Sequence, residues 1–248
     1  MTNGSVAAGP ALAVVLVALL AFAGVVVWLG GLGSWRAVVI AGVRAAVQLA
    51  AVSLVIAAIL RSGWYTAGFV LLMFGVAAAT SARRIGAPRD VPWTALAIGG
   101  GVAPVLGLVL ASGVVPLRPV AVVPVAGIVI GGAMTATSQA ARRAVDELRT
   151  RHGEYEAALA LGLEQRPAAL LICRPSAGHA LVPALDQTRT VGLVTLPGAY
   201  VGVLLGGASP VQAGVTQLLV LIGLLAAEAV AVLVAVQLVA ARRLHADW

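Results

Sequence analysis

Five side chains are chemically out of place in the sequence around them. Arg44 and Gln48 interrupt one apolar run, and their spacing puts both on one helix face. Arg44 lies eight residues inside Arg36, roughly 12 Å deep by helical rise. Its guanidinium either snorkels back to the surface or turns a polar face towards a path or a buried partner. Glu228 interrupts a second apolar run, fourteen residues before Arg242. A lone carboxylate at that depth in a bilayer is costly. Protonation, a pair with Arg44 or a watery cavity would relieve it, and local structural use is the alternative to a place in the path. Asp186 and Arg189 stand at the mouth of a third apolar run. Asp186 there either attracts an entering cation or pairs within a polar turn. Arg44, Gln48, Asp186, Arg189 and Glu228 are therefore the candidates for lining a translocation path.

Other chemistry is excluded by what the chain lacks. All 16 basic residues are Arg. Without Lys there is neither a Walker A loop nor a Schiff base. No Ser and His stand at comparable depth in two apolar runs, which argues against an intramembrane protease. The chain is thus expected not to be an enzyme by itself and to bind no cofactor of its own. His152, His179 and His245 are the only imidazoles and Cys173 the only thiol. Cys173 and His179 are close in sequence, yet two residues do not make a site. With one cysteine there is no intrachain disulfide. The net charge of +7 points to membrane headgroups rather than nucleic acid, because the Arg lie at the ends of apolar runs.

Those runs define the architecture. The chain of 248 residues is 61% hydrophobic and 10% charged, against about 25% charged in a soluble domain. The apolar runs are continuous rather than alternating, so they predict helices and not a barrel. The expectation is an all-α polytopic membrane protein forming a single domain over 1–248. Its spans are read at about 10–30, 37–60, 63–82, 93–115, 119–138, 190–206 and 212–240, with a polar loop over 139–189. The segment 167–185 is moderately apolar, which suits an interfacial or re-entrant piece. No basic residue precedes the first run, which therefore reads as a retained helix rather than a cleaved signal. With seven spans, Arg61 and Arg118 fall on one side and Arg44 within a span. Every other Arg falls on the opposite side. The positive-inside rule then makes the long loop and the C-terminus cytoplasmic and the N-terminus external.

Inside that loop, Ala141, Val145, Leu148, His152, Tyr155 and Leu159 recur every three or four residues, giving one apolar stripe on a helix over 139–161. Arg143 with Glu147, and Glu147 with Arg151, are spaced to pair across a turn. Gly153 is a weak point. Such a helix either lies on the membrane surface or docks a partner. It leads into Glu156-Ala157-Ala158, then Gly162, then Ile172-Cys173-Arg174-Pro175. This register resembles the EAA loop of ABC-transporter membrane subunits, with Arg174 where the pattern has Leu. Gly162 suits the turn that ends the first helix, and Pro167 the start of a second. The resemblance implies a coupling helix inserted into a separate ATP-binding subunit. Glu156 would supply charge, Tyr155, Leu159 and Leu161 apolar contact, and Ala157, Ala158, Gly162 and Pro175 complete the docking set.

The segment Asp186-Gln187-Thr188-Arg189-Thr190-Val191-Gly192-Leu193-Val194-Thr195-Leu196-Pro197-Gly198 resembles the hallmark of the FetB-type (YbbM-like) permeases, the membrane subunits of a bacterial iron-export ABC transporter. Plant aluminium-sensitivity permeases are similar. Gly42-Val43-Arg44-Ala45-Ala46-Val47-Gln48-Leu49, Pro124-Val125-Ala126-Gly127-Ile128 and Ala208-Ser209-Pro210 agree with it. The resemblance implies a multi-pass permease of the bacterial inner membrane, acting in metal homeostasis as a homodimer. It would export iron or another metal cation by alternating access, with ATP-Mg held on two partner subunits. An exporter of an anionic metabolite such as a nucleotide sugar, with Arg44 as the contact, is the alternative within that class. A stand-alone channel or secondary transporter is the alternative outside it. Gly198, Gly202 and Gly206 share one face of the expected sixth span and are the candidate dimer contact. Gly127 with Gly131 repeats the spacing once, and Gly99-Gly100-Gly101 reads as a flexible or closely packed point.

Overall fold

A computed structural model describes residues 9–59 and 62–244; Arg61 and His245, used above, lie outside the described residues. The described residues are nearly all helical, and seven helices are long and apolar enough to cross a membrane. The chain divides into two units, Met1–Ile59 and Leu60–Trp248.

The first unit is a helical hairpin of α1 (Pro10–Leu29) and α2 (Trp35–Ile59). Leu20 on α1 fills the space over Gly42 on α2. Gly24 is the one buried residue of α1, and Val14, Leu16, Phe22, Ile40 and Leu49 are all exposed. Side chains this apolar need lipid or protein around them.

The second unit contains α3 (Gly63–Ile85), α4 (Val91–Ala111), α5 (Pro119–Thr150), α6 (His152–Ala160), α7 (Gln165–Gly178), α8 (Val182–Thr190), α9 (Gly198–Leu205) and α10 (Pro210–Ala240). A single 3₁₀ turn, His179–Leu181, joins α7 to α8. α10 is the central element and packs against α4, α5, α7, α8 and α9. Small residues make this possible. Ala126, Ala133, Ala140, Ala141, Ala144, Ala227, Ala231 and Ala235 are essentially inaccessible, so packing rather than bulk holds the helices. α3 and α5 are also joined by a buried hydrogen bond, Ser138 Oγ to Ser81 Oγ at 3.0 Å. The Thr94 hydroxyl on α4 donates to the Ala78 carbonyl of α3 at 2.9 Å.

The expected sixth span, 190–206, is not a transmembrane helix. Gly192 takes a φ of +82°, its N–H is bonded to the Thr195 carbonyl, and Pro197 caps the following helix. What remains is α9, eight residues long and about 12 Å in extent, where a span needs about 20 residues. Instead Gln165–Thr190, α7 through α8, is long and apolar enough to cross. Arg166, Arg174, Asp186 and Arg189 interrupt it, yet Ala168, Ala169, Ile172, Cys173, Ala177 and Ala180 form a continuous buried face. The long polar loop over 139–189 therefore shrinks to the end of α5, α6 and the turn to α7.

Candidate functional site

The loop tip is built by the end of α5, α6 and the turn to α7. α5 has 32 residues, about 48 Å, and so exceeds a hydrocarbon core of roughly 30 Å. The helix breaks at Arg151, two residues before the weak point expected at Gly153. There Arg151 holds the joint together. Its Nε donates to Glu154 Oε1 at 2.8 Å and its Nη1 to Glu147 Oε1 at 3.3 Å, and its Nη2 bonds Glu154 Oε2. Glu147 thus pairs forward with Arg151 and not back with Arg143. The guanidinium holds the Glu154 carboxyl below the usual range.

α6 turns Tyr155 and Ala158 inwards, onto a cluster with Ala168, Ala169, Ile172 and Cys173 of α7. Tyr155, 3% exposed, is therefore part of the core and not a contact offered to a partner, because the i, i+3 face it shares with Ala158 is the one covered by α7. Glu156, Ala157 and Leu161 face outwards, and Leu161 is 84% exposed. Leu159 is half-buried. Gly162 closes α6 with a φ of +92°. The Leu163 N–H bonds the Ala158 carbonyl and the Gly162 N–H that of Leu159, the paired bonds of a Schellman cap. Pro167 falls in the first turn of α7. Pro175 lies inside α7, exposed, and does not end it.

Of the polar candidates within the spans, Arg44 and Gln48 lie one turn apart on α2, both exposed. Asp186 and Arg189 pair at 3.7 Å on the exposed face of α8. They do not share an end of the bundle with the tip, as a place in one polar loop over 139–189 would require. α7 starts with Arg166 bonded to Gln237 near the end of α10, and α8 leads on to α9, which meets the first turns of α10. Asp186 and Arg189 thus lie on the way to the opposite end of the bundle.

Glu228 is 8% exposed on α10. Its Oε1 and the Leu224 side chain occupy the space where a Cβ on Gly132 of α5 would be. Gly132 thus makes the room for the carboxylate. One residue earlier, the Ala227 carbonyl sits against Gly101 of α4, so closely that no Cβ fits. Gly99-Gly100-Gly101 is therefore a site of close packing. Sequence reading missed Gln217, which is buried with its Oε1 unpartnered among the described residues. It lies eleven residues before Glu228 and so on the same face of α10. An amide five residues inside that apolar run was the available signal. Among the described residues no three His, Cys, Asp or Glu gather as metal ligands.

At the other end of the second unit, a cavity of about 900 Å³ opens between the start of α5, α9 and the start of α10. Gly198 and Gly202 line it, and a Cβ on either would meet nothing within 4 Å. Two of the three glycines assigned to a dimer contact therefore face a cavity within one chain. The motif Ala208-Ser209-Pro210 also gains a physical role. Ser209 caps α10, its Oγ accepting from the Gln212 N–H while Gln212 Oε1 accepts from the Ser209 N–H.

The chain is similar to several known proteins. It is 36% identical over 162 residues to the UPF0014 membrane protein STAR2 of Oryza sativa subsp. japonica, covering 65% of this chain and 56% of that one. Protein ALUMINUM SENSITIVE 3 of Arabidopsis thaliana is 34% identical over 182 residues, covering 72% and 66%. The probable iron export permease protein FetB of Escherichia coli is 30% identical over 141 residues, covering 57% and 54%. The chain thus spans between about half and two thirds of these relatives' lengths. The UPF0014 membrane protein YjkA of Bacillus subtilis is matched more fully, 34% identical over 203 residues and 80% of its length. No solved structure matches. The family model described as uncharacterised protein family UPF0014 matches residues 11–244, and with seven helices able to span a membrane the chain belongs to the UPF0014 family of multi-pass membrane proteins.

Proposed function

We propose that this chain is the membrane permease subunit of an ABC transporter that exports iron or a similar metal cation. ATP is hydrolysed on a separate subunit, and two copies of the chain work with two such subunits in the inner membrane. The observation that carries this reading is the tip. An exposed Glu156, Ala157 and Leu161 stand on a short helix closed by Gly162, at the end of a helix too long for the bilayer. That is the form of a coupling helix seated in a groove of another protein. The name of the Escherichia coli relative supports the cargo.

In this reading the tip is cytoplasmic. ATP binding draws the partner subunits together, the α5–α6 joint is pulled, and the helices re-pack around Glu228 to open outwards. The cargo needs only weak oxygen ligands, from carboxylate, amide and carbonyl groups. Glu228 and Gln217 share one face of α10 and supply two of these. Asp186, paired with Arg189 towards the end away from the tip, lies outside the cytoplasmic entrance in this reading.

The test is ATP-dependent iron uptake into inside-out vesicles carrying this chain and an ATP-binding subunit. Uptake that disappears without the ATPase supports the reading. Uptake that persists without it makes the chain a secondary transporter or channel. ATP hydrolysis stimulated by the chain, without iron uptake, keeps the permease and replaces the cargo.

A further inference from the structure

The cavity between the start of α5, α9 and the start of α10 has walls of one chemical kind. Val120, Pro124, Ile128, Val203, Val215 and Leu219 dominate its lining. Its two side chains with hydrogen-bonding groups are already engaged. Gln212 is in the α10 capping box, and the Thr216 hydroxyl donates to the Gln212 carbonyl at 2.9 Å. Val120, Val211 and Val215 are largely exposed, so the cavity opens sideways to whatever surrounds the helices. In a bilayer such a space is filled by hydrocarbon, since an empty one forfeits dispersion contacts along its whole wall. Its volume is within the range of small-molecule sites.

Hydrocarbon alone brings no preference, because lipid tails are as apolar as the wall. The rim supplies one. Arg118 stands between Pro116 and Val120, both of which line the cavity, and it is exposed without an ion-pair partner among the described residues. It is also the N-cap of α5, where no side chain bonds the first backbone N–H groups. A cation and the positive end of a 32-residue helix therefore meet at the mouth of an apolar slot.

We propose that this cavity holds an acyl chain of a membrane phospholipid whose phosphate is bound by Arg118, with preference for a net anionic headgroup. The claim is independent of the transport reading. The competing occupant is a second copy of the chain, placed here by the sequence expectation for Gly198 and Gly202.

The full chain is placed in nanodiscs of equal phosphatidylcholine and phosphatidylglycerol, and the lipids it retains on extraction are counted by native mass spectrometry. The wild type is expected to keep phosphatidylglycerol in preference. Arg118→Gln should cut that preference about fivefold, the effect of one basic residue at a lipid surface. Gly202→Leu should lose the retained lipid of both kinds. That leucine enters open space and favours the helix, so the variant folds. Equal retention of both lipids by the wild type, no retention at all, or unchanged retention in Gly202→Leu overturns the proposal. Gly202→Leu that changes the number of chains per particle while lipid retention stays intact assigns the cavity to a second copy instead.

Discussion

The Ala227 carbonyl of α10 rests on the Cα of Gly101 of α4, in the space a Cβ would need. The obstacle is backbone, so no rotamer change can relieve it. Gly101→Ala should force α4 and α10 apart, a cost of about 1–3 kcal/mol. Gly107 lies on the same helix with nothing near its missing Cβ. Gly107→Ala should be neutral or stabilising by up to about 1 kcal/mol. Thermal unfolding of the two variants in detergent checks the contrast.

Glu228→Gln keeps the shape that fills the space over Gly132 and removes the charge. The variant should insert and unfold at close to the wild-type temperature, and ATP-dependent iron uptake should fall by at least about tenfold, one step of 1.4 kcal/mol. Wild-type uptake in this variant would remove Glu228 from the path and leave it a packing residue.

At the tip, Glu156→Lys reverses an exposed charge, while Gly162→Pro cannot adopt the φ of +92°. Both should leave the chain inserted and uncouple ATP hydrolysis from uptake. Tyr155→Ala tests a different thing. Its ring is packed under α7, so its loss should lower stability by about 3–5 kcal/mol. Coupled ATPase and transport assays, with unfolding measured beside them, separate the two classes. Unchanged transport in Glu156→Lys and Gly162→Pro would remove the docking role.

Glu154 supplies a pH dependence. Its carboxyl is held below the ordinary value of 4.5 by the hydrogen bonds from Arg151. A depressed acid stabilises the fold above its unfolded value, and that contribution is lost as the pH falls through the folded value. The α5–α6 joint should therefore loosen below about pH 4.5 and be insensitive between pH 6 and 8. Both groups are exposed, so the effect is local. Hydrogen exchange of the amides of residues 151–155 reads it, and Glu154→Gln should abolish the pH dependence.

Much of this was legible in the sequence, and the misreadings share a cause. Continuous apolar runs identify α1 to α5 and α10, because the bilayer tolerates little else. The stripe through Ala141, Val145, Leu148 and Tyr155 also predicts a helix with one covered face. It does not say what covers it, and α7 does so rather than a partner. Charge misplaced the sixth span. Four charged residues hide the apolar face of Gln165–Thr190, whereas Leu193, Val194 and Leu196 look like a span and are exposed in a turn. Gly198 and Gly202 carry the spacing of a helix contact, yet spacing does not distinguish a neighbouring helix from a void.

One helix connects both ends of the second unit. From Gly132, α5 runs eighteen residues to Thr150 and thirteen back to Pro119, arms of about 27 and 20 Å. Gly132 is also where the Leu224 and Glu228 side chains of α10 lie against the backbone of α5, and that contact can serve as a fulcrum. A tilt of α5 that carries the tip a given distance sideways then moves its other end the opposite way by roughly three quarters as much. Work done at Leu161 would widen or narrow the slot beside Arg118, and whatever fills that slot resists the stroke like a wedge under the short arm of a lever.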